Sequence, residues 1–408
     1  MRITFDGSSL RPRRTGVGYY SEHLLRHLAQ EASVDELIVI SNCPIETTTP
    51  LPARVRVVAP PWRVPRMVWM QTIAPQTVKR LEADVAHFTN GMMPLASPVP
   101  TVVTIHDISL TLYPRFHPPR RVLLNRPLVN VAARRADAVI TVSESARREI
   151  VRLYQLDPRR VQAIHEAAAP SFHPVRDPAE LERVRRKYGL DDRIILYVGT
   201  IEPRKNLPAL IEAFARRRST GDLSHQLVCV GPYGWLSRGI ESSIARSGVA
   251  HAIAFTGYVP FADLPALYSL AEMFVFPSVY EGFGLPVVEA MACGVPVITG
   301  PTPALAEVAG GAIEQVDHLD AGALGDAMVA LARSRERRQH LAAQGIERAQ
   351  TFSWRRAARE TLDIYRRTAE RASGIATADP PPAFADVGID PVTTSHAAVR
   401  ESSQPWSR

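Results

Sequence analysis

Short, nearly continuous apolar runs recur along this chain, separated by longer stretches whose apolar residues return at helical spacing. In the first half, Arg2–Asp6, Glu36–Ser41, Val55–Ala59, Val85–Thr89, Thr101–Asp107 and Ala138–Ser143 are rich in Val, Ile and Thr and read as strands. Tyr19–Gln30 and Arg120–Arg135 carry the helical pattern between them. From about residue 190 the alternation restarts, with Arg193–Thr200, His225–Gly231, Ile253–Val259, Met273–Ser278 and Val295–Gly300 as strands. Runs that are apolar throughout, rather than at every second residue, suit parallel strands covered on both faces. Two such blocks predict an α/β chain of two parallel-sheet domains, with ligands in the crevice at the strands' carboxyl ends.

Prolines and charges interrupt the pattern at Pro170–Lys187, which divides the chain into domains at 1–175 and 176–351. Phe352–Arg367 reads as one last amphipathic helix, assigned to 352–371. Beyond it, 372–408 has few large apolar residues and much Pro, Ser and Thr, the composition of a disordered tail. No run of about 18 apolar residues suggests a transmembrane helix. The opening MRITFDGSSLRPRR reads as a strand and loop rather than a secretory signal. Cys43, Cys229 and Cys293 lack metal-ligand spacing and point to a reducing compartment, so a cytoplasmic protein is expected.

The net charge of +7 is unevenly spread. Residues 1–175 hold 22 Lys and Arg against 14 Asp and Glu, whereas the remainder is nearly neutral. A basic first half suits an anionic surface or acceptor, with Arg13 and Arg14 as candidate contacts. Nucleic acid is not the expected partner, because no helix-turn-helix, zinc-finger or RNA-recognition signature accompanies the charge. Trp62–Thr72 mixes aromatics, Met and Arg, and fits an interdomain or core helix better than a membrane-surface one. His23 and His27 have the spacing of a zinc pair but lack the accompanying glutamate, so a solvated helix face is expected there and no metal site.

The densest chemical signal is Glu281–Thr299, EGFGLPVVEAMACGVPVIT. It follows a strand, turns at Gly282 and Gly284, starts a helix at Pro286, stops at Gly294 and enters a second strand. That is one βαβ step whose helix N-terminus suits an anionic or polyhydroxyl ligand, with Glu281 and Glu289 facing one crevice. Leu196–Leu207 runs from a strand into a loop carrying Arg204 and Lys205, which together can neutralise a diphosphate. Gly16-Val17-Gly18 precedes a helix expected to start near Tyr19, and without a third glycine it is not a dinucleotide fingerprint. His106 and Asp107 close the strand that starts at Thr101.

With its two glutamates spaced E-x7-E, the 281–299 string resembles the retaining GT-B glycosyltransferases of family 4, and the resemblance extends over about residues 1–370. It implies two Rossmann-like domains facing a central cleft, with the last helix packing back on the first domain. It places Glu281 at the donor sugar, Glu289 at the nucleotide ribose, and the backbone around Phe283, Gly284 and Leu285 near sugar or phosphate. Arg204 and Lys205 fall at the diphosphate leaving group, Gly16 and Gly18 across the cleft against the phosphates, and His106 beside the transferred sugar. Thr141–Ser145 fits a loop near the cleft. His106, Arg204, Lys205 and Glu281 are then the catalytic set, with no cofactor beyond the nucleotide-diphosphate sugar itself. The absence of Asp-x-Asp speaks against the metal-dependent GT-A class.

Similarity to mannosyl- and rhamnosyl-type members implies a hexose donor, GDP-mannose first, with dTDP-rhamnose and UDP-sugars behind it. The implied acceptor is a saccharide or a polyprenyl-diphosphate-linked glycan of cell-surface polysaccharide assembly, with peripheral contact to the inner face of an anionic membrane. Two alternatives stand beside this reading. One is a catalytically silent GT-B protein that binds sugar nucleotides. The other is a phosphorylase-like enzyme, which needs a pyridoxal-phosphate lysine that only Lys187 or Lys205 could supply in the second domain.

Overall fold

A computed structural model of the chain describes residues 1–374 except 13, 237 and 317–319. From residue 375 on, the expected tail lies outside the described residues, and its first part, to Ala372, is helical.

The first half forms a seven-stranded parallel sheet, from β1 (Arg2–Asp6), β2 (Glu36–Ile40), β3 (Val55–Val58), β4 (Val85–Phe88), β5 (Thr101–Ile105), β6 (Ala138–Thr141) and β7 (Val161–Ala163), in the order 3-2-1-4-5-6-7. The second half forms a six-stranded parallel sheet from β8 (Ile194–Val198), β9 (Gln226–Val230), β10 (Ile253–Gly257), β11 (Ala271–Phe276), β12 (Val297–Thr299) and β13 (Glu314–Gln315), in the order 10-9-8-11-12-13. Burial explains the apolar runs. Every residue of β5, β8 and β9 is buried, whereas the edge strand β3 is partly exposed. Central strands lose both faces to helices and must be apolar throughout.

The last helix, Trp354–Ala372, packs against the helix Gly16–Leu28 of the first domain. Tyr365, fully buried, meets His87 Nδ1 through its hydroxyl at 2.6 Å, and His87 Nε2 meets Thr104 Oγ1 at 2.7 Å. Burial pushes the His87 pKa down to about 3, so the ring is neutral in this chain of hydrogen bonds.

Three expectations change here. The first helix begins at Gly16, not near Tyr19, because the amides of Gly18 and Tyr19 already bond the Thr15 carbonyl. Gly18 is demanded by packing, since a Cβ there would lie 2.8 Å from the Ser9 carbonyl oxygen. His23 is not on a solvated face; its ring stacks on Trp354 at 5.4 Å, and burial pushes its pKa down to about 4. Arg14 does not face outward either: it is buried, paired with Glu22 and bonded to the Glu46 carbonyl at 2.6 Å. Arg13 lies outside the described residues.

The carboxyl ends of the two sheets meet across a crevice through backbone as well as side chains. Ser143 caps the helix Glu144–Tyr154 and donates to the Gly282 carbonyl at 2.6 Å. Glu307, in the second domain, accepts from the Glu144 and Ser145 amides at 2.8 and 2.7 Å, so its carboxylate sits on that helix's positive end. Tyr280 donates to Glu149 at 2.7 Å, and the Trp235 indole to the Phe116 carbonyl at 2.7 Å. At Gly282 a Cβ would fall 1.7 Å from the His106 carbonyl oxygen. The alanine variant Gly282→Ala therefore forces the domains apart. Small-angle scattering should give a larger radius of gyration and melting a lower Tm; unchanged values for both would mean the turn can shift without opening the crevice.

Candidate functional site

The loop after β8 ends in a single 3-10 turn, Pro203–Lys205, and Asn206, at φ +54°, redirects the chain into the helix Leu207–Ser219. This bend places both cations against the turn after β11. Lys205 Nζ donates to Glu281 Oε1 at 2.6 Å and lies 4.7 Å from the centre of the Phe276 ring. Arg204 donates to Glu281 at 3.1 Å, to the Tyr280 carbonyl at 2.7 Å and to Glu202 at 2.8 Å. Ser278 also donates to Glu281. Glu281, Arg204 and Lys205 thus form one hydrogen-bonded cluster.

Its electrostatics follow from burial and neighbours. Burial by itself raises the Glu281 pKa, yet Lys205 and Arg204 hold it below the usual carboxylate range. For Arg204, burial is outweighed by Glu281, Asp107 and Glu202, which keep the guanidinium charged. Lys205 goes the other way: burial and the neighbouring Arg204 outweigh Glu281, and its pKa falls. Asp107 joins from the first domain, its carboxylate held low by Arg204 and by hydrogen bonds from the Ser109 amide and hydroxyl at 2.9 and 2.6 Å.

Glu289 has different company. It lies on the helix Leu285–Ala292, buried, and accepts from the Tyr268 hydroxyl at 2.9 Å. Burial pushes its pKa up to about 8; the Tyr268 hydrogen bond opposes the rise and the Glu166 carboxylate adds to it. Gly284, at φ +101°, opens this helix, and a Cβ there would lie 2.2 Å from Leu305. Leu285 is its first residue, and the Phe283 ring packs on His165 and Phe352 at 6.0 and 5.7 Å.

His106 follows β5 with both ring nitrogens engaged: Nδ1 lies 3.2 Å from Glu166 Oε1, and Nε2 lies 3.0 Å from the Thr89 carbonyl oxygen. Gly16 is exposed and has open space around it, so packing alone makes no demand for glycine there. Sequence reading gave no role to Glu202, Asp107, Glu166, Tyr268 or Glu307. Only Glu202 and Asp107 had a signal, because Asp107 directly follows His106 and Glu202 lies two residues before Arg204. Among the described residues, no group of three or more His, Cys, Asp or Glu could hold a metal ion.

Residues 14–170 match the family model "Glycosyltransferase Family 4" and residues 180–348 the model "Glycosyl transferases group 1". The chain is 31% identical over 381 residues to O-antigen chain mannosyltransferase B of Escherichia coli, covering 90% of this chain and 100% of that protein. Among solved structures, sucrose-phosphate synthase from Thermosynechococcus elongatus aligns with a TM-score of 0.72 at 22% identity, covering 90% of this chain and 98% of that one. Anabaena HepE in complex with UDP and glucose aligns with a TM-score of 0.69 at 20% identity, covering 92% and 100%. A two-domain parallel-sheet architecture, matches to family models in both halves and a relative similar along its whole length lead to one assignment: the chain belongs to the family 4 glycosyltransferases and has their GT-B fold.

Proposed function

We propose that this glycosyltransferase is a metal-independent, retaining mannosyltransferase that takes mannose from GDP-mannose. The acceptor is a saccharide or polyprenyl-diphosphate-linked glycan in cell-surface polysaccharide assembly. The observation that carries the chemistry is the buried Arg204–Lys205–Glu281 cluster at the sheets' carboxyl ends. The sugar identity rests on the similarity to an O-antigen mannosyltransferase.

The cluster suggests an exchange of partners. A donor diphosphate entering beside Arg204 and Lys205 replaces the negative charge that Glu281 now supplies, and frees Glu281 oxygens to accept from sugar hydroxyls. An added anion also counteracts the depressed Lys205 pKa, so the ammonium is fully charged when the leaving group needs it. As the anomeric bond breaks, charge grows on the diphosphate, and two fixed cations stabilise it more than they do the ground state. In a same-face displacement, the leaving phosphate oxygen takes the proton of the acceptor hydroxyl. Replacing Lys205→Ala or Glu281→Gln should lower kcat by about 100-fold or more, with melting curves showing a folded protein. Turnover near the wild-type rate in either variant overturns the assignment.

Glu289 is the group to accept from ribose hydroxyls, a role its carboxylate performs and its neutral acid does not. Burial pushes its pKa up to about 8; hydroxyl donors favour the ionised form and lower it. Nucleotide binding then releases a proton, and affinity rises with pH up to about 8 and levels off above it. Calorimetry with GDP, UDP, dTDP and their mannose, glucose or rhamnose conjugates, with and without EDTA, tests this. We expect GDP-mannose to bind best, independently of EDTA, with proton release that Glu289→Gln abolishes. Tighter binding of a UDP- or dTDP-sugar overturns the donor, and dependence on EDTA overturns metal independence.

Membrane contact belongs to the same reading. The helix Pro119–Arg135 begins at the crevice mouth, where Arg121 stacks on Trp235 of the second domain at 4.3 Å. Next to it Leu123 and Leu124 are 74% and 66% exposed, flanked by exposed Arg120 and Arg126. On the helix that starts at Arg66, Met67 and Val68 are also exposed, as is Trp62 before it. Leucines between arginines suit an anionic bilayer surface, with apolar side chains in the headgroup boundary. Leu123→Ser with Leu124→Ser should weaken sedimentation with phosphatidylglycerol vesicles while leaving transfer to a soluble acceptor unchanged. Equal binding by variant and wild type, or none by either, overturns this contact.

A further inference from the structure

His117 ends a row of hydrogen bonds that begins at the charged cluster. It follows the 3-10 turn Pro114–Phe116 and precedes the helix Pro119–Arg135, with 5% of its surface exposed. Its Nε2 lies 3.0 Å from Ser109 Oγ, which in turn lies 2.6 Å from Asp107 Oδ1. Against the effect of burial, Arg204 and the Ser109 hydrogen bonds keep the Asp107 carboxyl below its ordinary range, so it is ionised and only accepts. The Ser109 hydroxyl therefore gives its one hydrogen to Asp107, and its oxygen accepts from His117 Nε2. Burial pushes the His117 pKa down to about 4, with Arg121 and Arg204 adding to the fall and Asp107 opposing it, so the ring is neutral. Its other nitrogen, Nδ1, keeps a lone pair that is buried and has no hydrogen-bond partner among the described residues.

The second domain covers this ring. Trp235, in the turn after β9, lies 5.6 Å from it at a tilt of 31°, and its indole N–H donates to the Phe116 carbonyl at 2.7 Å. Arg121 packs on the Trp235 ring at 4.3 Å. Two backbone features aim the turn. The Gly234 amide bonds the Ile201 carbonyl at 2.9 Å, in the loop that carries Arg204, and a Cβ on Gly234 would lie 3.0 Å from that oxygen. Leu236 takes φ +55°, in the left-handed region that leucine rarely adopts. Backbone strain and an unpaired buried acceptor both cost stability, and both recur at ligand sites.

We propose that His117 and Trp235 form a saccharide subsite for the acceptor, in which His117 Nδ1 accepts from a sugar hydroxyl and Trp235 packs on the same sugar unit. Its assignment to the acceptor rests on the transferase reading above. The lone pair selects the ligand's chemistry: a sugar hydroxyl has a hydrogen to give, whereas an ionised phosphate oxygen has none. An aromatic face beside one fixed polar group is the usual make-up of a small-molecule site. The location fits as well. His117 stands two hydrogen bonds from Asp107 and just before the helix on which Leu123 and Leu124 are exposed. A glycan whose lipid rests on those leucines then has its sugar close to the donor cluster. Entry requires the Trp235 turn to lift, and the indole's hydrogen bond to the Phe116 carbonyl is the contact given up.

The test uses the full chain with mannobiose as the probe, binding being read by saturation-transfer NMR and calorimetry. The wild type should bind mannobiose without donor. His117→Leu, which removes the lone pair, and Trp235→Ala should each weaken that binding by about 10-fold or more, with Tm and the Kd for GDP unchanged. His117→Gln, whose amide donates to Ser109 and offers an oxygen in place of Nδ1, should bind within about threefold of the wild type. Inorganic diphosphate should not displace the sugar. No binding by the wild type, unchanged binding in either His117→Leu or Trp235→Ala, or displacement by diphosphate overturns the proposal. A parallel loss of GDP affinity in these variants would mark a structural role and also overturns it. Should His117→Leu not fold, Trp235→Ala, on a surface turn, decides the question. GDP binding reports on the donor reading and mannobiose binding on this subsite, so either can fail alone.

Discussion

The two halves of this protein meet backbone to backbone, and the site exists because they can. Gly282 has no side chain to keep the second domain's turn off the His106 carbonyl, and a single Cβ there would fall 1.7 Å from the carbonyl oxygen, far inside contact distance. Neighbouring contacts depend on that approach. The Gly282 carbonyl accepts from Ser143, Tyr280 reaches Glu149, and Asp107 comes near enough to Arg204 to bias its charge. Glu307 adds a contact of another kind, offering a carboxylate to amides that a helix N-terminus leaves unpaired.

Charge buried in this crevice is costly. Removing an ion from water costs several kcal/mol even after relaxation, and a paired cluster returns little net stability. Glu202, Glu281 and Asp107 nevertheless face Arg204 and Lys205 there. Such an arrangement is more useful to a ligand than to the fold. The carboxylates hold the cations in place, and a diphosphate substitutes for one of them without a large change in local charge. Glu289 shows the complementary case: burial, opposed only in part by the Tyr268 hydrogen bond, pushes its pKa up to about 8.

Much of the fold is legible from local pattern. Strands buried on both faces must be apolar throughout, so β5, β8 and β11 stand out as runs. The turn and helix at 281–294 are legible for the same local reason: glycine at a left-handed φ, proline in the first turn and glycine at the stop are demands of the backbone itself. Local pattern misleads where a tertiary neighbour decides. His23 and Arg14 look like polar surface residues, but Trp354 covers one and Glu22 pairs with the other.

By itself, then, the sequence determined the alternation of strands and helices, the division into two parallel sheets and the neighbourhoods of Arg204, Lys205 and Glu281. Each depends on residues close in the chain, where spacing and backbone preference carry the information. Only the tertiary structure decided which polar groups meet. His106 meets Glu166 across 60 residues, Glu281 meets Lys205 across 76, and Glu307 meets the Glu144 amide across 163. No local period encodes such pairs, because they arise from how the two sheets face each other.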